Sequence, residues 1–224
     1  MKTHSPIHIL QIAPLLVVST SLLAADTPLH FDPAPGSKVR IEGTSSIHDW
    51  QVEGKLIGGR LEAGPGFPVE PGQAVQPGKV EAKVDVFIPV RSLKSVEKDG
   101  RPYSDSMDDI MYEKLLQLAN PRILYHLDEL TLKEAPKDTN APYVFDATGQ
   151  LVVAGVTNKI TMPVNVIPLG NKKLKITGQT ATKMTTFDIK PPAPAIALGL
   201  IKTGDDVKLI FEWMVGQKAA APAH

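Results

Sequence analysis

The chain has 224 residues, with 24 basic side chains balancing 24 acidic ones, 20 prolines, 17 glycines and no cysteine. The neutral balance argues against nucleic acid or an anionic membrane surface as partner. The absence of cysteine excludes disulfides, thiolate nucleophiles, thiolate zinc sites and iron–sulfur ligation. The length suits one domain whose core needs no such staples.

At the N-terminus, Lys2 precedes a largely apolar run from Ile7 to Leu23, interrupted by His8, Gln11 and Pro14 and followed by Ala24 and Ala25. This reads as a secretory leader over residues 1–25, with a periplasmic or secreted mature protein as the expectation. Leu22 and Leu23 fit the small-x-small cleavage rule poorly, so the cut site stays open. An uncleaved anchor is the alternative, marginal in length and broken by Pro14. Past residue 25 no apolar stretch is long enough to cross a bilayer as a helix.

Residues 26–37 are rich in turn formers and read as a loose lead-in. Lys38–Glu42 is a short strand candidate, broken by Gly43-Thr44-Ser45. From Ile47 to Ile57, His48, Trp50, Val52, Gly54 and Leu56 fall on one face of a second strand, opposite Asp49, Gln51, Glu53 and Lys55. Residues 63–78 carry four prolines and four glycines and read as an irregular excursion. From Lys79 to Pro89, Val80, Ala82, Val84, Val86 and Ile88 point one way, against Glu81, Lys83 and Asp85.

The period then changes. Met107, Ile110, Met111, Leu115 and Leu118 recur at helical spacing, which predicts an amphipathic helix over 106–119. Ser106 and Asp109 are a plausible capping pair, and Asn120-Pro121 is a stop. Strands resume at 122–132, 143–153, 157–166, 173–186 and 207–215. The pair YVFDATGQLVVAGVTNKITMPVNV is the clearest. Tyr143, Phe145, Ala147, Gly149, Leu151 and Val153 share a face, Gly155-Val156-Thr157-Asn158 reverses the chain, and Ile160, Met162, Val164 and Val166 resume the alternation. Val207, Leu209, Phe211, Trp213 and Val215 point inward on the last strand. Pro191, Pro192 and Pro194 force an extended segment before it, and residues 216–224 read as a frayed tail.

This pattern predicts a mainly all-β domain over 38–215 with one amphipathic helix. An antiparallel barrel of about eight strands removes the unpaired edges. A two-sheet sandwich has the same periodicity, which does not separate the two.

Four blocks carry a family resemblance: GTSSIHDWQVEGKLIGG; VEAKVDVFIPVRSLKS; the helix followed by NPRILYHL; and the 143–166 hairpin with KMTTFDIKPPAPAIALGLIKTGDDVKLIFEW. Together they resemble the YceI-like family, secreted bacterial lipocalin-like barrels that bind polyisoprenoid lipids. Asp105-Ser106-Met107-Asp108-Asp109 stands where many members carry Arg-Asp-x-His-Leu, and the prolines replace the usual Arg-containing segment. Both departures lie where a barrel mouth would be. The resemblance implies a non-enzymatic barrel with a bound isoprenoid lipid, a quinone or polyprenol, and no catalytic cofactor.

The walls expected around such a guest are Trp50, Val84, Val86, Ile110, Met111, Tyr125, Leu151, Val153, Met162, Phe211 and Trp213. Trp50 reads equally as core, and Met107 and Met111 more as core fillers than contacts. His48 reads first as a histidine satisfied by a backbone carbonyl, and alternatively as a contact to a ligand head group. An empty apolar hollow of ~300 Å³ would cost about 7 kcal/mol. The lumen is therefore expected to be either filled by a guest or collapsed on its own side chains. The second case is a structural or interaction barrel with no ligand.

Little points to catalysis or metal. His30, His48 and His126 lack paired spacing, no Gly-x-Ser-x-Gly is present, and Asp105, Asp108 and Asp109 fall where acids stabilise a helix N-terminus.

Overall fold

The structure, a computed structural model, describes residues 27–139, 141–193 and 201–218. The expected leader, Pro194 and residues 219–224 of the expected tail lie outside the described residues. Among the described residues, twelve strands form one sheet, all pairs antiparallel: β1 (Leu29–Pro33), β2 (Lys38–Ser45), β3 (Trp50–Gly54), β4 (Gly58–Ala63), β5 (Gly78–Lys79), β6 (Ala82–Pro89), β7 (Lys94–Val96), β8 (Arg122–Glu134), β9 (Tyr143–Val153), β10 (Val156–Gly170), β11 (Lys173–Lys183) and β12 (Thr203–Gln217). The helix α1 (Asp105–Lys114) lies between β7 and β8.

Eight of these strands close a ring, in the order β1-β4-β6-β8-β9-β10-β11-β12, with β12 returning to β1. The long strand β12 makes closure possible. Val215 to Gln217 pair with β1, while Val207 to Glu212 pair with β2. At the β2 end the sheet turns outward through β3 and β7, and α1 packs beside β7. The barrel is thus closed at one end and splayed at the other. Closure rules out the two-sheet sandwich.

The closed end is a dry core. Phe31, Leu132, Tyr143, Phe145, Leu174 and Val215 are almost fully buried there. The proline- and glycine-rich excursion seals it. Phe67 stacks on Phe145 with ring centroids 6.2 Å apart, and the Tyr143 hydroxyl donates to the Gln73 carbonyl at 2.5 Å. The Gln73 side chain braces the loop from inside, accepting the Val69 and Glu70 amides and donating to the Phe67 carbonyl. Buried backbone polar groups must be paired, and one glutamine here serves three of them.

Several expectations change. The lead-in holds β1, whose Phe31 is inward while its neighbours are exposed, and the tail's first two residues extend β12. Strand β4 gives no alternating signal in the sequence, because it opens on Gly58 and Gly59. The helix starts one residue earlier than expected and is capped by Ser104, whose Oγ accepts the Met107 amide. It ends at Lys114, since Leu116 adopts a left-handed φ of 50°. Leu118 is therefore not on a helical face and is 93% exposed.

Candidate functional site: a two-part apolar hollow

Alternation delivers the inward side chains, and glycine makes room for the large ones. Gly43 faces Trp50 and Gly178 faces Phe211 as direct cross-strand partners. A Cβ at Gly43 would lie 2.2 Å from the Trp50 ring, and one at Gly178 2.6 Å from the Phe211 ring. Each aromatic therefore lies along the wall instead of standing into the lumen. Tyr125 does the same over Gly149, where a Cβ would come within 2.7 Å of the phenol. Large rings flattened over glycines leave an axial space that packed side chains would otherwise fill.

That space has two parts. An inner chamber of about 100 Å³ is walled by hydrocarbon and aromatic side chains, among them Val84, Val86, Tyr125, Met162, Phe211 and Trp213. Left empty, it would cost only about 2 kcal/mol, well below the figure expected for a single large hollow. The outer cavity, about 1030 Å³, opens between the barrel rim, the β2–β3–β7 flap and α1. Trp50, Ile110, Met111 and Val153 line it, together with Phe187, Ile189 and Pro192. Ile123, Leu151 and Leu209 border both spaces and form a collar between them. All eleven residues read from the sequence as lumen walls thus line one cavity or the other. The sequence reading missed the collar members Ile123 and Leu209 as wall residues; the alternation that placed Tyr125 and Phe211 inward carried the signal for both.

The rim is polar. His48, Glu97, Lys98, Asp99, Arg101 and Tyr103 border the outer cavity on the flap side, and Lys183, Asp206 and Lys208 on the β11–β12 side. Several pair among themselves, Arg101 with Asp99 at 2.7 Å and Lys183 with Asp206 at 2.9 Å. His48 lies at this rim, not on the apolar wall. Its Nδ1 is 2.8 Å from the Asp49 carbonyl and its Nε2 3.3 Å from the Tyr103 hydroxyl. Both ring nitrogens are engaged, which fits the satisfied-histidine reading.

The helix that roofs the mouth is pinned by a buried acid. Asp108, 4% exposed, accepts the Ser95 amide at 2.6 Å and pairs with Lys94 at 2.9 Å. The Tyr112 hydroxyl adds a bond to the Leu93 carbonyl. Burial pushes the Asp108 carboxyl up, but the Ser95 amide and Lys94 outweigh it, and the group sits below its ordinary value. A carboxyl more acidic folded than unfolded stabilises fully above the usual carboxylate pKa of about 4. That stabilisation disappears as pH falls through the lower folded value. Asp108→Ala leaves the Ser95 amide unpaired and is expected to cost about 1–3 kcal/mol near neutral pH. Thermal melts should show the gap to wild type narrowing in acid.

Outside the hollow, His126 Nδ1 lies 2.7 Å from Asp85 Oδ1, and Arg60 pairs with the same carboxylate. The His126 contact foremost holds Asp85 below its ordinary pKa. The three are solvent-exposed, with no nucleophile bonded to them, and form a surface ion-pair cluster. Among the described residues, no group of three or more His, Cys, Asp or Glu could hold a metal. No described helix is long and apolar enough to cross a membrane.

Comparison with known proteins decides the family. The YceI-like domain model matches residues 32–214. The chain belongs to the YceI-like domain family. Among solved structures, a polyisoprenoid binding domain from Saccharophagus degradans, implicated in plant cell wall breakdown, is similar with a TM-score of 0.57 and 11% identity, over 85% of this chain and 99% of that one. Burkholderia cenocepacia BcnA is similar with a TM-score of 0.55 and 17% identity, over 80% and 95%. At such identities the likeness is one of fold. Among curated proteins, none matches the chain. Within this YceI-like barrel, the helix and proline segment that depart from the family pattern do border the mouth: Met107, Ile110, Met111 and Pro192 line the outer cavity.

Proposed function

We propose that this chain is an exported, non-enzymatic lipid-binding protein that holds a polyisoprenoid chain, a quinone or polyprenol, in the barrel lumen. The carrying observation is the pair of adjoining cavities, largely apolar along their walls, with charged groups bordering only the outer one. A guest inserted there gains about 0.8 kcal/mol for each buried CH₂. A few isoprene units offset the cost of association and leave micromolar binding or better. The bound class named for the Saccharophagus domain supports the same reading, as does the apolar N-terminal run for export. An ion-pair contact is not required.

The alternative, a self-filled barrel working through its outer surface, is disfavoured by the open volume at the mouth. Organic extraction of the purified protein followed by mass spectrometry tests the reading. A stoichiometric prenyl lipid is expected. Repeated lipid-free preparations that also take up no added isoprenoid quinone would overturn it.

A further inference from the structure

Among the described residues, two buried side-chain polar atoms have no hydrogen-bond partner: the Tyr125 hydroxyl and the Trp213 indole N–H. Both belong to the inner chamber, whose other walls are hydrocarbon or phenyl groups and the Met162 thioether. Tyr125 stands on β8 and Trp213 on β12, on different sides of the ring. Trp213 lies four residues beyond the collar residue Leu209, about 13 Å further along the strand at the usual rise. Buried polar groups are nearly always paired, and an unpaired one pays its full desolvation cost. Two in one small chamber, and none elsewhere among the described residues, is a pattern that packing alone does not explain.

The chemistry of the pair selects a partner. The indole N–H can only donate, and the phenol can donate or accept. Burial pushes the Tyr125 hydroxyl well above its ordinary pKa, so it stays protonated. No cation lines the chamber, so an anionic head such as a phosphate would lose its water with no compensating charge. A bare hydrocarbon terminus would leave both donors unpaired. The fitting group is a neutral hydrogen-bond acceptor on an apolar ring or chain.

We propose that the ligand enters head first, with the neutral carbonyl oxygens of its head group accepting from Tyr125 and Trp213 in the inner chamber. Its prenyl tail then runs through the Ile123–Leu151–Leu209 collar to the mouth. This rests on the carrier reading and deepens it. It makes Tyr125 and Trp213 specificity-determining contacts and moves the head-group contact from the rim, where His48 is already engaged, to the interior.

The test titrates two probes against wild type, Tyr125→Phe and Trp213→Phe, by displacement of an apolar fluorescent dye. One probe is a short-chain prenylated benzoquinone and the other is the same prenyl hydrocarbon without its ring. Tyr125→Phe removes only the donor, so it is expected to weaken the quinone roughly three- to tenfold, the range of one neutral hydrogen bond, and to leave the hydrocarbon unchanged. Its apo form should melt no lower than wild type, which keeps a folding defect from imitating the result. Trp213→Phe should lower the quinone-to-hydrocarbon affinity ratio in the same direction. Equal weakening of both probes, or no change for the quinone, would overturn the head-first orientation while the carrier reading stands. Failure of wild type to bind either probe would overturn the carrier reading itself.

Discussion

Leu209→Trp is expected to weaken lipid binding about a hundredfold while leaving the fold intact. Leu209 is half-buried and borders both cavities, so a larger ring there grows into open space. The indole would close the collar opposite Ile123 and Leu151. A guest shut out of the inner chamber loses the burial of roughly four CH₂ groups, about 3 kcal/mol. That corresponds to roughly a hundredfold in affinity. Overpacking normally costs about 1–3 kcal/mol because neighbours must move. Here the space is already present, so the melting temperature should stay within a few degrees of wild type, about 2–4 °C per kcal/mol for a chain of this size. Lipid co-purification and thermal melts on one preparation check both halves. Unchanged lipid content with the indole in place would mean that the guest does not pass the collar.

A second large effect separates the floor of the barrel from its lumen. Phe145 is wholly buried and stacks on Phe67 of the sealing loop. Phe145→Ala is expected to cost about 3–5 kcal/mol, the usual range for a deleted core ring, and to lower the melting temperature by about 6–20 °C. Val84→Ala, at an inward position of comparable regularity, should cost under about 1.5 kcal/mol. The Val84 side chain is only partly buried and lines the chamber, so fewer contacts are lost. Paired thermal melts check the contrast. Equal destabilisation by the two substitutions would indicate a barrel packed along its whole length, with no hollow behind Val84.

Much of this geometry is legible in the sequence, and the reasons are physical. Where one face of a strand is wet and the other dry, alternation is forced, and β9 is read at its observed bounds, Tyr143–Val153. The same rule aims Val84, Tyr125, Leu151 and Phe211 at one axis, and the structure places all four on the chamber walls. Three features escaped because their signals are not periodic. Strand β4 opens on two glycines. Gly58 lies beneath the Phe87 ring and Gly59 has a φ of +133° against the Asp85 carbonyl, so neither shows a hydrophobic face. The helix stop is set by the left-handed turn at Leu116, a residue type that gives no warning of it. The division of the lumen at a collar depends on which residues of different strands share a level, and strand register is a property of pairing across the sheet.

Asp108 shows the same limit from another side. Its position in the first helical turn was legible, and a favourable contact with the helix dipole follows from it. Its burial and its bond to the Ser95 amide, 13 residues away, depend on β7 passing beneath the helix, which spacing does not reveal. The aromatic–glycine pairs lie between these cases. Trp50 and Phe211 were legible as inward-facing, but their flattening over Gly43 and Gly178 needs the cross-strand register.

The central claim is that a prenyl guest reaches the interior of the ring, and the chain carries its own reporter for it. Trp50 lies at the mouth and Trp213 in the inner chamber, and the sequence has no other tryptophan. In Trp50→Phe, emission therefore comes from Trp213 alone. Titrating that variant with a short-chain isoprenoid quinone, whose ring quenches indole fluorescence on close approach, should give saturable quenching at one quinone per protein. Trp213 emission that stays unchanged while the quinone partitions into detergent micelles would contradict the account.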